Sequence, residues 1–150
     1  MDKISIAPCG MNCLICSRHL AFKNNILNQG IGIPYCLGCR KKNNKCAFQK
    51  KCDLLSKSKI EYCFQCPNFP CERLKKLDER YRNRYHMSMI ENLEYIKENG
   101  IDQFLTWQEE KWRCPRCGGF VCCHNGLCFS CDLEKLKILV KKRQPYRWEE

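Results

Sequence analysis

The stretch Cys114-Pro115-Arg116-Cys117-Gly118-Gly119, followed by Cys128-Phe129-Ser130-Cys131, sets two C-x2-C pairs ten residues apart. Each pair can turn two thiolates to one side, and the glycines behind Cys117 permit the tight turn this requires. Four thiolates at about 2.3 Å from one ion close a tetrahedral site with no open position, an arrangement that is structural and not catalytic. The spacing predicts a zinc-ribbon β-hairpin over 114–131. Cys122, Cys123 and His124 fall between the pairs. In the alternation of a hairpin they cannot all face the metal. One is read as a small buried residue and the others as exposed, and His124 could stand in for a ligand, although the two pairs already fill the site.

Cysteine dominates the rest of the chain as well. It makes up 16 of 150 residues, a density that signals a scaffold held by metal or disulfides. The hydrophobic fraction of 44% includes these cysteines, and without them it falls to about a third. Such a chain buries only a modest core, so cross-links must supply part of its stability. There is no run of about 18 apolar residues that could cross a membrane. Residues 1–10 lack the apolar stretch of a secretory signal. The expected compartment is therefore the cytoplasm, where thiols stay reduced and C-x2-C pairs read as metal ligands.

The formal charge is +11. A dication held by four thiolates carries −2 as a unit, so four such sites would bring the chain to +3 and three would leave +5. The cysteines divide the chain into three parts. Residues 1–71 form a Cys-rich module with ten cysteines, residues 72–112 have none, and residues 113–150 have six. The middle reads as helical. Leu74, Leu77 and Tyr81 share a helical register. Ser88 with Glu91 forms a capping box before Met89, Ile90, Leu93 and Ile96, Asn99-Gly100 is a stop, and Asp102 is a cap for a third helix. Elsewhere, Asn12 should cap a helix over 13–28 that buries Leu14, Leu20, Ala21 and Leu27. A second helix is expected over 47–57, through Phe48, Cys52 and Leu55. A basic amphipathic helix over 132–143 should follow the ribbon, with Leu133, Leu136, Leu139 and Val140 on one face. The fold class is thus a small metal-stabilised, mainly α protein with irregular Cys-rich knuckles.

The ten N-terminal cysteines, Cys9, Cys13, Cys16, Cys36, Cys39, Cys46, Cys52, Cys63, Cys66 and Cys71, are all candidate metal ligands. Ten is not a multiple of four. Two four-cysteine sites would leave two free thiols, and three would need His19, His86 or Asp53 to complete them. A three-cysteine site finished by water or substrate is the one option with catalytic potential. Cys36-x2-Cys39 and Cys63-x2-Cys66 are the pairs most easily joined in one site. Cys9-x3-Cys13-x2-Cys16 has the spacing of radical S-adenosylmethionine enzymes, which makes an iron–sulfur redox or catalytic protein the alternative reading. The chain is too short for the barrel that chemistry uses. Cys63-x2-Cys66-Pro67 echoes ferredoxins, and the paired spacings loosely resemble a binuclear zinc cluster.

Two basic runs could contact nucleic acid. One is Arg40, Lys41, Lys42 and Lys45; the other is Lys141, Lys142 and Arg143 with Tyr146, Arg147 and Trp148 beyond them. Runs of this kind are more often solvated faces. No Ser-His-Asp pattern, P-loop or dinucleotide fingerprint is present, so no enzymatic chemistry is positively indicated.

The pieces Cys9-Gly10-x2-Cys13-x2-Cys16, Cys36-x-Gly38-Cys39-Arg40 and Cys63-x2-Cys66-Pro67-x-Phe69-Pro70-Cys71 resemble a cysteine-rich prokaryotic family known only as a domain of unknown function, with members often labelled zinc-binding proteins. Arg80-Tyr81-Arg82 to Tyr85, the segment from Met87-Ser88-Met89-Ile90 to Glu94, and the Cys-Pro-x-Cys-Gly-Gly stretch with His124 resemble its longer members. The resemblance runs from about residue 5 to 132. It implies metal binding in a bacterial or archaeal cytoplasm and assigns no activity. The expectation is a protein with about three to four zinc ions in closed structural sites, acting as a binding module for a protein or nucleic-acid partner. A metal store or thiol sensor built on unpaired cysteines is a further possibility.

Overall fold

The computed structural model describes residues 1–41 and 46–148. Seven α-helices occur among them: α1 Ser17–Lys23, α2 Ala47–Lys50, α3 Asp53–Ser56, α4 Glu72–Arg84, α5 Met89–Asn99, α6 Ile101–Trp112 and α7 Leu133–Lys141. None is long and apolar enough to cross a membrane.

The three central helices form because their sequence offers no competing structure. α4 contains no Gly or Pro, carries Glu72 in its first turn and Arg82 and Arg84 in its last, and so opposes its dipole at both ends. α5 opens where Ser88 Oγ accepts the Glu91 amide at 3.0 Å and stops at Gly100. α6 starts directly after Gly100, so Asp102 sits in the first turn and is not the cap. α5 packs on both α4 and α6. Leu74, Leu93 and Phe104 are fully buried there, and Tyr95 stacks on Trp107 with ring centroids 4.6 Å apart.

The N-terminal segment lies against these helices. Gly10, at φ +91°, presses on α5 so closely that a Cβ would stand 2.7 Å from the Met89 carbonyl oxygen. Its own carbonyl accepts from Asn92 Nδ2 at 2.9 Å. One core therefore draws on residues from Ile6 to Cys123, and the Cys-rich ends and the helical middle all contribute to it. A second, smaller core gathers Leu20, Ala21, Ile26, Ile31, Ile33, Cys122, Phe129 and Leu136 between α1 and α7.

Several expectations need correction. The zinc-ribbon β-hairpin is absent: no β-strand occurs among the described residues. Only isolated bridges form, Arg113 opposite Phe120 and Val121 opposite Cys128. Two turns placed back to back leave one residue pair for each. The first closes by Cys114 N–H to Gly119 O at 2.7 Å, the second by Cys122 N–H to Leu127 O at 2.9 Å. The next amide, on Cys123, donates to Ile15 O in the N-terminal segment at 2.9 Å, so no ladder can propagate. The helix expected over 13–28 is broken as well. Asn12 does cap, accepting from Leu14 N at 3.1 Å, but it caps only the 3-10 turn Cys13–Ile15. Extended backbone at Cys16 then separates that turn from α1, and Leu27 is exposed. The single helix over 47–57 is two, α2 and α3, divided before the extended Cys52.

Candidate metal centre

The two C-x2-C pairs at 114–131 converge. The sulfurs of Cys114, Cys117, Cys128 and Cys131 all lie within 4.8 Å of one another. Cys114 Sγ stands 4.0 Å from Cys131 Sγ, and Cys117 Sγ stands 3.6 Å from Cys128 Sγ. A tetrahedron with metal–sulfur bonds of about 2.3 Å has edges of about 3.8 Å, midway between those two separations. The four donors therefore fit one tetrahedral ion.

Backbone groups shape the quartet. Gly118, at φ +74°, closes the first turn, and Gly119 N–H points to Cys117 Sγ at 3.4 Å. The amides of Cys117 and Arg116 pull the Cys114 thiol down to about 6. Cys131 is pushed up to about 12, chiefly by Cys117 and then by its burial and the other two sulfurs. A bound dication would favour the thiolate at all four.

Asp132 ties the two pairs together, a role its position in the sequence hid behind that of a helix start. Its carboxylate receives Arg116 Nη2 at 2.8 Å on both oxygens, and its Oδ2 accepts the Cys128 amide at 2.9 Å. It begins α7 without capping it by its side chain, because that side chain is engaged with the first pair. The only sequence signal was an acidic residue directly after Cys131, with an arginine inside the first pair.

The N-terminal cysteines fall into other neighbourhoods. Cys52, Cys63, Cys66 and Cys71 line one cavity of about 30 Å³, walled by Phe48, Leu55, Ile60, Phe69, Arg73 and Leu74. That space suits one water or one ion. Burial pushes the Cys63 thiol up strongly, and the nearby Cys9, Cys71, Cys52 and Cys66 push it further. The pair 63/66 is thus set beside Cys52 and Cys71, away from the partnership with Cys36 and Cys39 that spacing suggested. Cys39 instead donates its amide to Cys13 Sγ at 3.3 Å, and its thiol is raised first by Cys13, with Cys46 also adjacent. Cys46 is raised first by Cys39. Cys9, raised to about 11 by burial, also feels Cys46. Cys16 is raised by burial and by Cys36. Cys9 and Cys13 thus share the neighbourhood of Cys39 and Cys46, and Cys16 stands apart from them beside Cys36.

His19 points its Nδ1 at the Cys36 carbonyl at 2.9 Å, while its buried Nε2 has no hydrogen-bond partner. His86 is exposed beside Trp148, with ring centroids 4.5 Å apart. Trp148 Nε1 donates to the Cys123 carbonyl at 2.8 Å. Asp53 lies exposed in the first turn of α3. Of the basic residues, Arg40 serves the fold. It donates to the carbonyls of Ile6 at 2.7 Å and Glu61 at 3.0 Å and lies over the Tyr62 ring. Lys41, Lys141, Lys142 and Arg143 are exposed, and Lys42 and Lys45 lie outside the described residues.

Residues 5–76 match the family described as protein of unknown function, DUF3795. The match takes in all ten N-terminal cysteines and ends within α4; the quartet at 114–131 and residues 122–124 lie beyond it. The DUF3795 description names no metal and no activity, so the zinc label implied by the sequence resemblance is not carried by it. No curated protein and no solved structure matches the chain.

Proposed function

We propose that this is a zinc-binding protein whose thiolate sites are structural parts of the fold. The observation that carries the reading is the quartet's pair of sulfur separations, 4.0 and 3.6 Å, around a centre with no open position. Asp132 and Arg116 supply the supporting hydrogen bonds that orient such ligands. Two further groups extend the same chemistry. Cys52, Cys63, Cys66 and Cys71 line a cavity of one ion's size, and Cys39 sets its amide on the Cys13 sulfur at 3.3 Å, although among the described residues only the 114–131 sulfurs gather within 4.8 Å. The thiolate donor set favours zinc over hard cations. A catalytic zinc would need a vacant position, and the quartet offers none.

The biological task is presentation of a surface to a partner. The exposed Lys141, Lys142 and Arg143 at the end of α7 are the candidate nucleic-acid contact. The test has two parts. Elemental analysis of protein purified without oxygen should return zinc at three or more equivalents with no visible absorbance; iron with sulfide would overturn the zinc reading. Affinity for mixed single-stranded RNA should fall steeply with salt and weaken when Lys141, Lys142 and Arg143 are changed to Gln. No binding at low salt would remove nucleic acid as the partner.

A further inference from the structure

We infer that the cleft between the end of α4 and the C-terminal tail receives one nucleotide of a single-stranded RNA. Its phosphate sits between Arg84 and Arg147, and its base lies against an aromatic wall. The inference rests on the nucleic-acid reading above and gives it a built site beyond the lysines of α7.

Two segments distant in sequence meet here. Arg84, Tyr85 and His86 come from the end of α4, and Tyr146, Arg147 and Trp148 come from the tail. Between them lies a cavity of about 650 Å³. That falls within the roughly 300–1,000 Å³ of small-ligand sites and leaves room for one nucleotide. No acidic residue lines it. Arg84 and Arg147 are exposed, and neither takes part in a hydrogen bond or ion pair among the described residues. By contrast, Arg40, Arg73, Arg82, Arg113 and Arg116 each donate to a carbonyl or carboxylate of the fold. The two guanidinium groups at the cleft therefore keep their donors open, in the planar fork that matches a phosphate.

The tail is pinned, so its aromatic side chains are held in place. Asn125 Nδ2 donates to Pro145 O at 2.9 Å, and Trp148 Nε1 donates to the Cys123 carbonyl at 2.8 Å. Gly126 lies against the indole so closely that a Cβ would come within 2.5 Å of its ring. Residues 122–124 make a firm anchor, because Cys122, Cys123 and His124 are all buried and not one of them alone. The rings of the wall meet their neighbours edge-on, His86 to Trp148 at 72° and Tyr146 to His124 at 72°. None of them is stacked face to face on another ring among the described residues, so ring faces remain for a base. Bases of any sequence stack on such faces.

The ligand class follows from the combination. An inorganic anion would leave the rings unused, and an apolar molecule would leave both guanidinium groups unused. A nucleotide uses both. Arg147 stands between Tyr146 and Trp148 in the chain, so charge and ring are one residue apart, within the span of one nucleotide. Lys141, Lys142 and Arg143 are exposed just ahead of the tail and extend the positive charge beyond that span, which suits a strand and not a free nucleotide.

The test uses the full chain with its metal bound, titrated into a fluorescein-labelled uridine RNA of about eight residues at low salt. Arg84→Gln and Arg147→Gln should each weaken binding at least about fivefold and reduce the slope of log affinity against log salt by about 0.7. Unchanged affinity in both, with binding weakened when Lys141, Lys142 and Arg143 are changed to Gln, would overturn this inference and leave the nucleic-acid reading standing. No binding by the parent chain would overturn both. Ultraviolet crosslinking of the same RNA carrying thiouridine, read by mass spectrometry, needs no variant. The adduct should fall on His86, Tyr146 or Trp148, and an adduct confined to other residues would overturn the inference. Adenosine monophosphate should displace the RNA only far above the dissociation constant of the RNA; equal potency would assign the cleft to a free nucleotide and overturn the strand.

Discussion

Asp132 and Asp78 are two short acids that hold together parts of the chain far larger than themselves. Removing the Asp132 carboxylate leaves Arg116 and the Cys128 amide without their acceptor. Loss of such an outer partner typically costs about 10–100-fold in metal affinity. Asp132→Ala should lose zinc to a competing chelator at correspondingly lower chelator concentration, and unchanged competition would remove Asp132 from the site's support. Asp78 is buried within α4 and accepts from Ser88 Oγ at 2.6 Å, Arg82 Nε at 2.7 Å and Ile90 N–H at 3.0 Å. Burial opposes its ionisation, but the bonds from Ser88, Ile90 and Arg82 outweigh it and hold the carboxyl below its usual range. A carboxyl depressed in the folded state contributes stability that is present above the unfolded value of about 3.9 and is lost as pH falls through the lower folded value. Asp78→Asn should therefore cost about 1–3 kcal/mol at neutral pH. Denaturant titrations of the two proteins should show that gap at full size above about pH 4 and narrowing below it. Gly10→Ala is expected to destabilise by about 1–3 kcal/mol, since a methyl group there meets the Met89 carbonyl and a φ of +91° is strained for alanine. A melting temperature equal to the parent's would show that the α5 contact yields freely.

At the scale of elements, helices were legible wherever local signals agreed. In α4, α5 and α6 the apolar register, the Ser88 cap and the Gly100 stop all point the same way, and those helices stand where the sequence puts them. Ser88→Ala should cost about 1–2 kcal/mol, because the hydroxyl caps α5 and also reaches Asp78; a smaller effect in thermal unfolding would mean that tertiary packing sets the start of α5. Legibility failed around the cysteines. Phe48, Cys52 and Leu55 follow helical spacing, yet Cys52 takes an extended backbone and its side chain joins Cys63 at the cavity, so the helix splits. Cys16 breaks the expected helix over 13–28 in the same way. The hairpin over 114–131 failed for a related reason: the Cys123 amide that a ladder needs binds Ile15, more than a hundred positions earlier. Periodicity reports local preference, and these residues answer to neighbours distant in sequence. The four cysteines of the quartet were readable because their spacing is itself local.

For the whole molecule, a core that takes residues from Ile6 to Cys123 leaves no part of the chain to fold by its own apolar burial alone. Apolar residues other than cysteine are about a third of the sequence, and under the zinc-binding proposal metal coordination supplies what they do not. A structural zinc contributes about 10–16 kcal/mol of apparent binding energy at neutral pH, which is the scale of a domain's entire stability. Removal of zinc by a strong chelator should accordingly erase most of the far-ultraviolet helical signal, with metal release and helix loss following one time course. Helix content that survives complete metal removal would show that the sites are passengers on an independently stable fold.

The indole of Trp148, bonded to the Cys123 carbonyl and set edge-on to His86, ties the C-terminal tail to residues 122–124. Its light emission depends on that hydrogen bond and on shelter from water. The emission lost on Trp148→Phe isolates this indole from Trp107 and Trp112, and a shift of that component toward longer wavelength would announce that the C-terminal tail has parted from residues 122–124.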